Sequence, residues 1–255
     1  RSIILASWDA EEYSLVGSTE WVEENIDWIR ANVIGYVNVD VAVGGDVFVP
    51  SASPVFKDLL YKVAKQVPYP GSNETLYDAW LQSSLGDAAQ DALARNKDPS
   101  VTTLGSGSDY AAFMAHAGIS SIDVGFSGNM GTYHSNYDSL ARMAAFIDPG
   151  MKLHQAITRV WGLLAISLAD DPVLAFNAVS YAKDLNRSFG ICVQHRDNSW
   201  SARAYSKGIR STFDRFMPFA TLAEAAEDQD WRRFRQYEKH AAELVYEAAW
   251  FLRET

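Results

Sequence analysis

Apolar positions fall into two kinds of pattern over the first two thirds of the chain. Ile3 to Ser7, Ile34 to Val39 and Ile119 to Phe126 are short, nearly continuous apolar runs, the pattern of strands buried on both faces. Between them, apolar residues return at helical spacing. Ser18 to Asn32 opens on a candidate capping residue, Ser18, and carries Glu20, Glu23 and Glu24 in its first two turns, where the positive end of a helix dipole favours them. Pro54 to Val67 predicts a second helix. Pro68 to Thr103, rich in Pro, Gly, Ser, Asn and Asp, predicts a surface excursion with only short helical patches. Gly105-Ser106-Gly107-Ser108-Asp109 predicts a tight turn into a helix through Tyr110 to Met114. Strands alternating with helices in this way indicate an α/β layer architecture.

After Asp148-Pro149 the pattern changes. Ile147, Met151, His154, Ile157, Trp161, Leu164 and Leu168 recur at steps of three and four, one apolar stripe on a long helix. From Asn177 onward no strand is predicted, and Ser199 to Met217 and Asp230 to Glu254 read as two more long helices with Pro218 between them. The expected division is therefore residues 1–170 as one domain and residues 171–255 as an all-helical C-terminal module. An aromatic stripe, Trp231, Phe234, Tyr237, Tyr246, Trp250 and Phe251, serves either that module's core or a subunit interface.

Composition narrows the function classes. Of 255 residues, 48% are hydrophobic and 21% charged, an ordinary globular balance that argues against disorder. With 22 Lys+Arg against 32 Asp+Glu the net charge is −10, so the basic face that a general nucleic-acid binder needs is missing. No run of about 18 apolar residues occurs, and no membrane segment is expected within this chain. The single Cys192 rules out an internal disulfide and a cysteine-based zinc site. The start lacks Met and the end falls inside a helical pattern, so both termini read as cut from a longer chain. Two sequons, Asn73-Glu74-Thr75 and Asn186-Arg187-Ser188, suit a glycoprotein of the secretory pathway and also occur by chance.

Candidate chemistry gathers just past the first strand, where Ser7-Trp8-Asp9-Ala10-Glu11-Glu12 places three carboxylates at the end of a sheet that would present its site there. Crowded carboxylates repel one another. A divalent cation relieves that repulsion, so that one carboxylate ligates while its neighbour acts as general base toward an activated water. A solvated acidic turn at a helix entrance fits the same residues. Asp40 ends the second strand, and His134 sits in the polar loop Gly131-Thr132-Tyr133-His134-Ser135-Asn136-Tyr137-Asp138. Glu, Asp and His without thiols is the ligand chemistry of a hydrolytic zinc site, though an Asp after a strand also forms turns and a loop His also decorates surfaces.

Five ordered blocks carry a resemblance: Ala6-Ser7-Trp8-Asp9-Ala10-Glu11-Glu12, Gly17-Ser18-Thr19-Glu20-Trp21, Asn38-Val39-Asp40, Leu104-Gly105-Ser106-Gly107-Ser108-Asp109-Tyr110 and Tyr133-His134-Ser135. Together they resemble the glutamate carboxypeptidase and transferrin receptor family of co-catalytic zinc peptidases, strongly to Asp148 and more weakly through the helical part. The resemblance implies a mixed sheet flanked by helices, two zinc ions, a peptide substrate and a homodimer formed through the C-terminal helices. By the same resemblance Glu11 is the general base, Glu12 and His134 hold one zinc and Asp40 holds the other. Tyr133 then lies near the developing oxyanion, Ser106, Gly107 and Ser108 line the substrate, and Glu20 and Glu23 belong to a structural calcium site.

The departures set limits. The family's remaining His ligand and its metal-bridging Asp fall before the position of Arg1. The arginine pair that reads acidic substrates has no counterpart in Ser120 to Phe126, and Ser108 stands in place of an Asn, so glutamate specificity is not implied. Two other readings accompany the peptidase: a receptor or scaffold of the same fold without metals, and an inactive piece of an active parent. Chemically competent residues at Glu11, Glu12, Asp40 and His134 favour the enzyme. A secretory, vacuolar or extracellular-face location follows from the resemblance alone.

Overall fold

The computed structural model describes residues 1–85, 98–185 and Arg232. The chain divides into two compact units, Arg1–Thr102 with Ser106–Phe176, and Thr103–Gly105 with Asn177–Thr255.

The first unit carries short strands and helices in alternation. β1 (Tyr36–Asn38) lies inside the second predicted run; β2 (Val47–Phe48) and β3 (Ser51–Ala52) follow it. The third run supplies β4 (Ser121–Asp123) and β5 (Phe126–Ser127). β4 is central, parallel to β1 and antiparallel to β3, while β2 and β5 form a separate antiparallel pair. Gly125 lets the chain between β4 and β5 press against the backbone of Val41, since a Cβ there would collide with the Val41 carbonyl. The first predicted run is different. Ile3, Ile4 and Leu5 are 50%, 62% and 80% exposed and form no strand. A strand exists through its ladder, and among the described residues none offers this segment its hydrogen bonds.

The helix expected over Ser18 to Asn32 is two helices, α1 (Val16–Glu24) and α2 (Ile26–Asn32). Asn25 separates them: its backbone leaves the helical region (φ −113°, ψ 16°), while its backbone N–H and its side-chain amide both donate to the Trp21 carbonyl, at 3.1 and 2.8 Å. Ser18 is buried inside α1, donating to Leu15 O, and is not the cap. A 3-10 turn, Pro54–Phe56, leads into α3 (Lys57–Ala64), with proline at the start where its missing N–H costs nothing. The expected surface excursion holds α4 (Leu76–Leu85), and Leu76, Tyr77, Trp80 and Leu81 are buried in the core. Its start was available in the sequence: the Asp78 N–H donates to Thr75 Oγ1 and the Thr75 N–H donates back to Asp78 Oδ2, a reciprocal cap.

α5 (Leu140–Arg142) runs on into a π-helical stretch, Met143–Ile147, and α6 (Lys152–Asp170) is the long helix. Its buried face is Leu153, Ala156, Ile157, Val160, Leu164 and Leu168. The predicted stripe is thus shifted at its start, because Met151 precedes the helix in a left-handed conformation (φ 53°) and His154 turns out of the core. The main core joins this face to Phe48, Phe56, Leu60, Trp80, Ile122 and Phe126. A smaller cluster of Val22, Ile29 and Phe113 packs beneath Trp8, Trp21 and Tyr36.

In the second unit residues 178–185 are helical, and Asn177 Oδ1 accepts the Ser180 N–H at 3.0 Å, as an N-cap does. Apart from Arg232, which is helical, the helices expected over Ser199 to Met217 and Asp230 to Glu254 lie outside the described residues, as does the aromatic stripe.

Candidate active site

Glu11 and Glu12 share one 3-10 turn, Glu11–Tyr13, framed by left-handed backbone at Ala10 (φ 57°), Ser14 (73°) and Leu15 (58°). L-residues resist this region by about 1–2 kcal/mol each, so the surroundings must hold it. Two ties do so: the N–H groups of Tyr13 and Val16 both donate to Ala10 O, at 3.3 and 3.2 Å. Gly17 lets the start of α1 close onto Asp9, since a Cβ there would strike the Asp9 carbonyl. His134 is also left-handed (φ 56°). Among the described non-glycine residues five have positive φ, and four of them are at this site, which is where stored backbone strain tends to accompany function.

His134 Nε2 lies 2.9 Å from Glu12 Oε1, and the Tyr133 ring stacks on the His134 ring at 3.8 Å. Asp40, exposed just past the end of β1, joins them. Glu11, Glu12, Asp40, Tyr133, His134, Ser106 and Gly107 all line one open cavity of about 730 Å³, together with Ser14, Val41, Met130, Asp138, Met143 and His154. Seven of the expected site residues therefore meet in space. Ser108 is placed beneath the cavity instead: it is 2% exposed, and its hydroxyl accepts from Asn38 Nδ2 at 2.9 Å. Glu20 and Glu23 project from α1 as exposed side chains outside that lining.

Next to the site residues along the chain runs a set of linked polar groups that sequence reading missed, none of them lining the cavity. Trp8 Nε1 donates to Tyr36 Oη (3.0 Å), Tyr36 Oη donates to Asn38 Oδ1 (2.9 Å), and Asn38 Nδ2 donates to Asp123 Oδ1 (3.0 Å) as well as to Ser108. The parallel register that sets Asn38 opposite Asp123 makes this possible. The signal was faint, a polar residue near the end of each of two apolar runs. Burial pushes the Tyr36 hydroxyl up to about 12 and keeps it a donor. Burial likewise pushes the Asp123 carboxyl up to about 6, with the Asp40 charge adding to it and the Asn38 hydrogen bond opposing it.

Electrostatics at the rim run the same way. The Glu11 carboxyl is raised by burial first, then by the charges of Asp40, Asp109 and Glu12, against a lowering from His134. Tyr133 is raised by burial and by Glu12, Asp40 and Glu11. Carboxylates outnumber imidazoles, and no Lys or Arg is among the cavity's lining residues. Such a donor set suits a divalent cation in kind. In number it falls short, for among the described residues no three His, Cys, Asp or Glu side chains are gathered closely enough to hold an ion.

Comparison with known proteins agrees with this chemistry. Residues 1–148 match the family model of peptidase family M28. A probable glutamate carboxypeptidase of Arthroderma benhamiae is 43% identical over 195 residues, covering 73% of this chain and 25% of that protein. The probable glutamate carboxypeptidase LAMP1 of Arabidopsis thaliana is 41% identical over 189 residues, 74% of this chain and 26% of that protein. Aminopeptidase NAALADL1 of Mus musculus is 34% identical over 195 residues, 72% and 26% respectively. The chain spans about a quarter of the length of these curated relatives.

Proposed function

Because the chain belongs to peptidase family M28, a family of metallopeptidases, we propose that its parent protein is a zinc-dependent exopeptidase in which Glu11 is the general base. The observation that carries this reading is the meeting of Glu11, Glu12, Asp40, Tyr133 and His134 around one open cavity with no lysine or arginine to balance them. Glu12 and His134 would hold one zinc and Asp40 a second, with further ligands from outside this chain. When bound, zinc polarises the scissile carbonyl and lowers the pKa of a water.

The chain's own groups do the rest. Glu11 accepts the proton of the attacking water at its carboxylate and returns it to the leaving amine nitrogen. Its neighbours help, because burial and the charges of Asp40, Asp109 and Glu12 make it a stronger base than a free glutamate. The Tyr133 hydroxyl, kept protonated by its raised pKa, donates to the oxyanion that develops on the carbonyl oxygen. Ser106 and Gly107 border the space the peptide occupies. Glu20 and Glu23 remain candidates for a calcium site, and the C-terminal helices for a homodimer contact. Among the described residues no helix is long and apolar enough to cross a membrane.

The test is zinc content and hydrolysis of short peptides by the full-length protein, wild type against Glu11→Gln. Zinc retained near two per chain with activity lowered about 10²–10⁴-fold, the range of general acid–base catalysis, is the expected result. Unchanged activity in the variant would remove Glu11 from the chemistry, and a wild type that binds no metal and cleaves nothing would end the peptidase reading.

A further inference from the structure

Asn38 is the junction of the linked polar groups beside the site. It is 5% exposed, and its amide is fully engaged: Oδ1 accepts from Tyr36 Oη at 2.9 Å, while Nδ2 donates to Asp123 Oδ1 at 3.0 Å and to Ser108 Oγ at 2.9 Å. The directions are fixed by chemistry. Trp8 Nε1 can only donate, so Tyr36 Oη accepts from it at 3.0 Å and keeps its own hydrogen for Asn38, which turns the amide oxygen toward Tyr36 and the nitrogen toward Asp123. The Tyr36 ring lies flat on Phe113, with centroids 4.1 Å apart and planes 9° from parallel, and Trp8 packs on the same ring at 5.9 Å. Burying these polar groups costs stability unless each is bonded, and the backbone pairing of β1 with β4 needs none of them.

Each arm of this junction ends next to a group of the site. Trp8 lies three residues before Glu11, Asn38 two residues before Asp40, and Ser108 directly after Gly107. We propose that Tyr36 and Asn38 are positioning residues, which hold the Glu11–Glu12 turn, Asp40 and the Ser106–Gly107 border in one arrangement through these hydrogen bonds. The inference rests on the peptidase reading and adds residues that serve it without touching substrate. Such a support is needed, because the Glu11–Tyr13 turn buries no side chain and has left-handed backbone at either end, while Asp40 is exposed past the end of β1. Apolar contacts alone tolerate sliding. A fully satisfied, buried set of directional bonds has one geometry, and reacting groups must be held to well within an ångström.

The experiment measures kcat, KM and Tm for hydrolysis of a short peptide by the full-length protein in saturating zinc. Tyr36→Phe deletes one oxygen and keeps the ring on Phe113. It should lower kcat by up to about 10²-fold, the effect of misplacing reacting groups by about 1 Å, and leave KM within about twofold. Trp8→Phe removes the donor at the far end of the same link and should act alike, and the double variant should lose little more than either single one, because both break one connection. Asn38→Ala, which opens all three arms, should lose at least as much kcat; if it does not fold, Tyr36→Phe still decides. Val63→Ala, in the core at 1% exposure on α3, is the control that lowers Tm without reaching the site and should leave kcat unchanged. A kcat in Tyr36→Phe that stays near the wild-type value, a loss no larger than that of Val63→Ala, or losses that simply add in the double variant overturns the inference and leaves the peptidase reading standing. A wild type that cleaves nothing overturns both.

Discussion

The core under β4 and the rim that carries the acidic cavity are built on opposite terms. In the core, the Pro54–Phe56 turn with α3, α4 and α6 brings Phe56, Leu60, Trp80 and Leu164 to 2% exposure or less, and each element sits in ordinary helical or extended backbone. At the rim, the segments Glu11–Tyr13, Leu140–Arg142 and Met143–Ile147 contain no buried residue, the backbone is left-handed at four residues, and like charges crowd together. The rim cannot stabilise itself. It is held by what adjoins it: Trp8, just before the Glu11–Glu12 turn, packs at 5.4 Å from Trp21 and 5.9 Å from Phe113, and the Arg142 guanidinium donates to Met130 O at 2.7 Å. Burial elsewhere in the unit thus stabilises a geometry whose own local energy is unfavourable, which is the usual relation between a scaffold and a reactive site.

Substitutions should separate the two regions by size of effect. Phe56→Ala removes a fully buried ring and is expected to cost about 3–5 kcal/mol by chemical denaturation; a loss under about 1 kcal/mol would mean that the core is not packed as described. Asp123, between the two regions, gives a pH signature. Its pKa is raised in the folded state, from the ordinary 3.8 to about 6. Its contribution is therefore favourable below pH ~4 and is lost as pH rises through about 6. Unfolding free energy should fall across that window by on the order of 1–3 kcal/mol from this group, and Asp123→Asn should flatten the slope. A slope that survives the substitution would place the titration elsewhere. Smallest of all, Glu12→Gln alters a side-chain contact with His134 whose members are 64% and 54% exposed and should move stability by less than about 0.5 kcal/mol. A larger loss would show that the rim contributes to folding as well as to chemistry.

How much of this was legible beforehand differs between the regions for a physical reason. The helices α3 and α6 follow from periodicity because burial along one face leaves its period in the chain, and the strands β1 and β4 lie inside continuous apolar runs. α4 was obscured by the Pro, Gly and Ser of its approach, although Thr75-x-x-Asp78 announced its cap. At the site, Glu11, Glu12, Asp40, Tyr133 and His134 were readable as a set because five ordered blocks of sequence carried them, although the strand expected before Glu11 did not form. His154 was read into the apolar stripe, since spacing places a residue on a helix without saying whether the next layer is core or cavity.

Residue order alone determined the alternation of strands and helices, the acidic balance, and the nature of the groups available for chemistry, because these depend on periods and side-chain types that are local in the chain. Tertiary structure alone decided which of those groups meet. It set Glu12 beside His134, 122 residues apart, put Ser108 under the cavity and His154 along it, and gave Ile3 to Ser7 no ladder among the described residues. Each of these outcomes depends on a partner distant in sequence: a hydrogen bond, a ladder or a buried contact is a property of two segments, and no local pattern in one of them records the other.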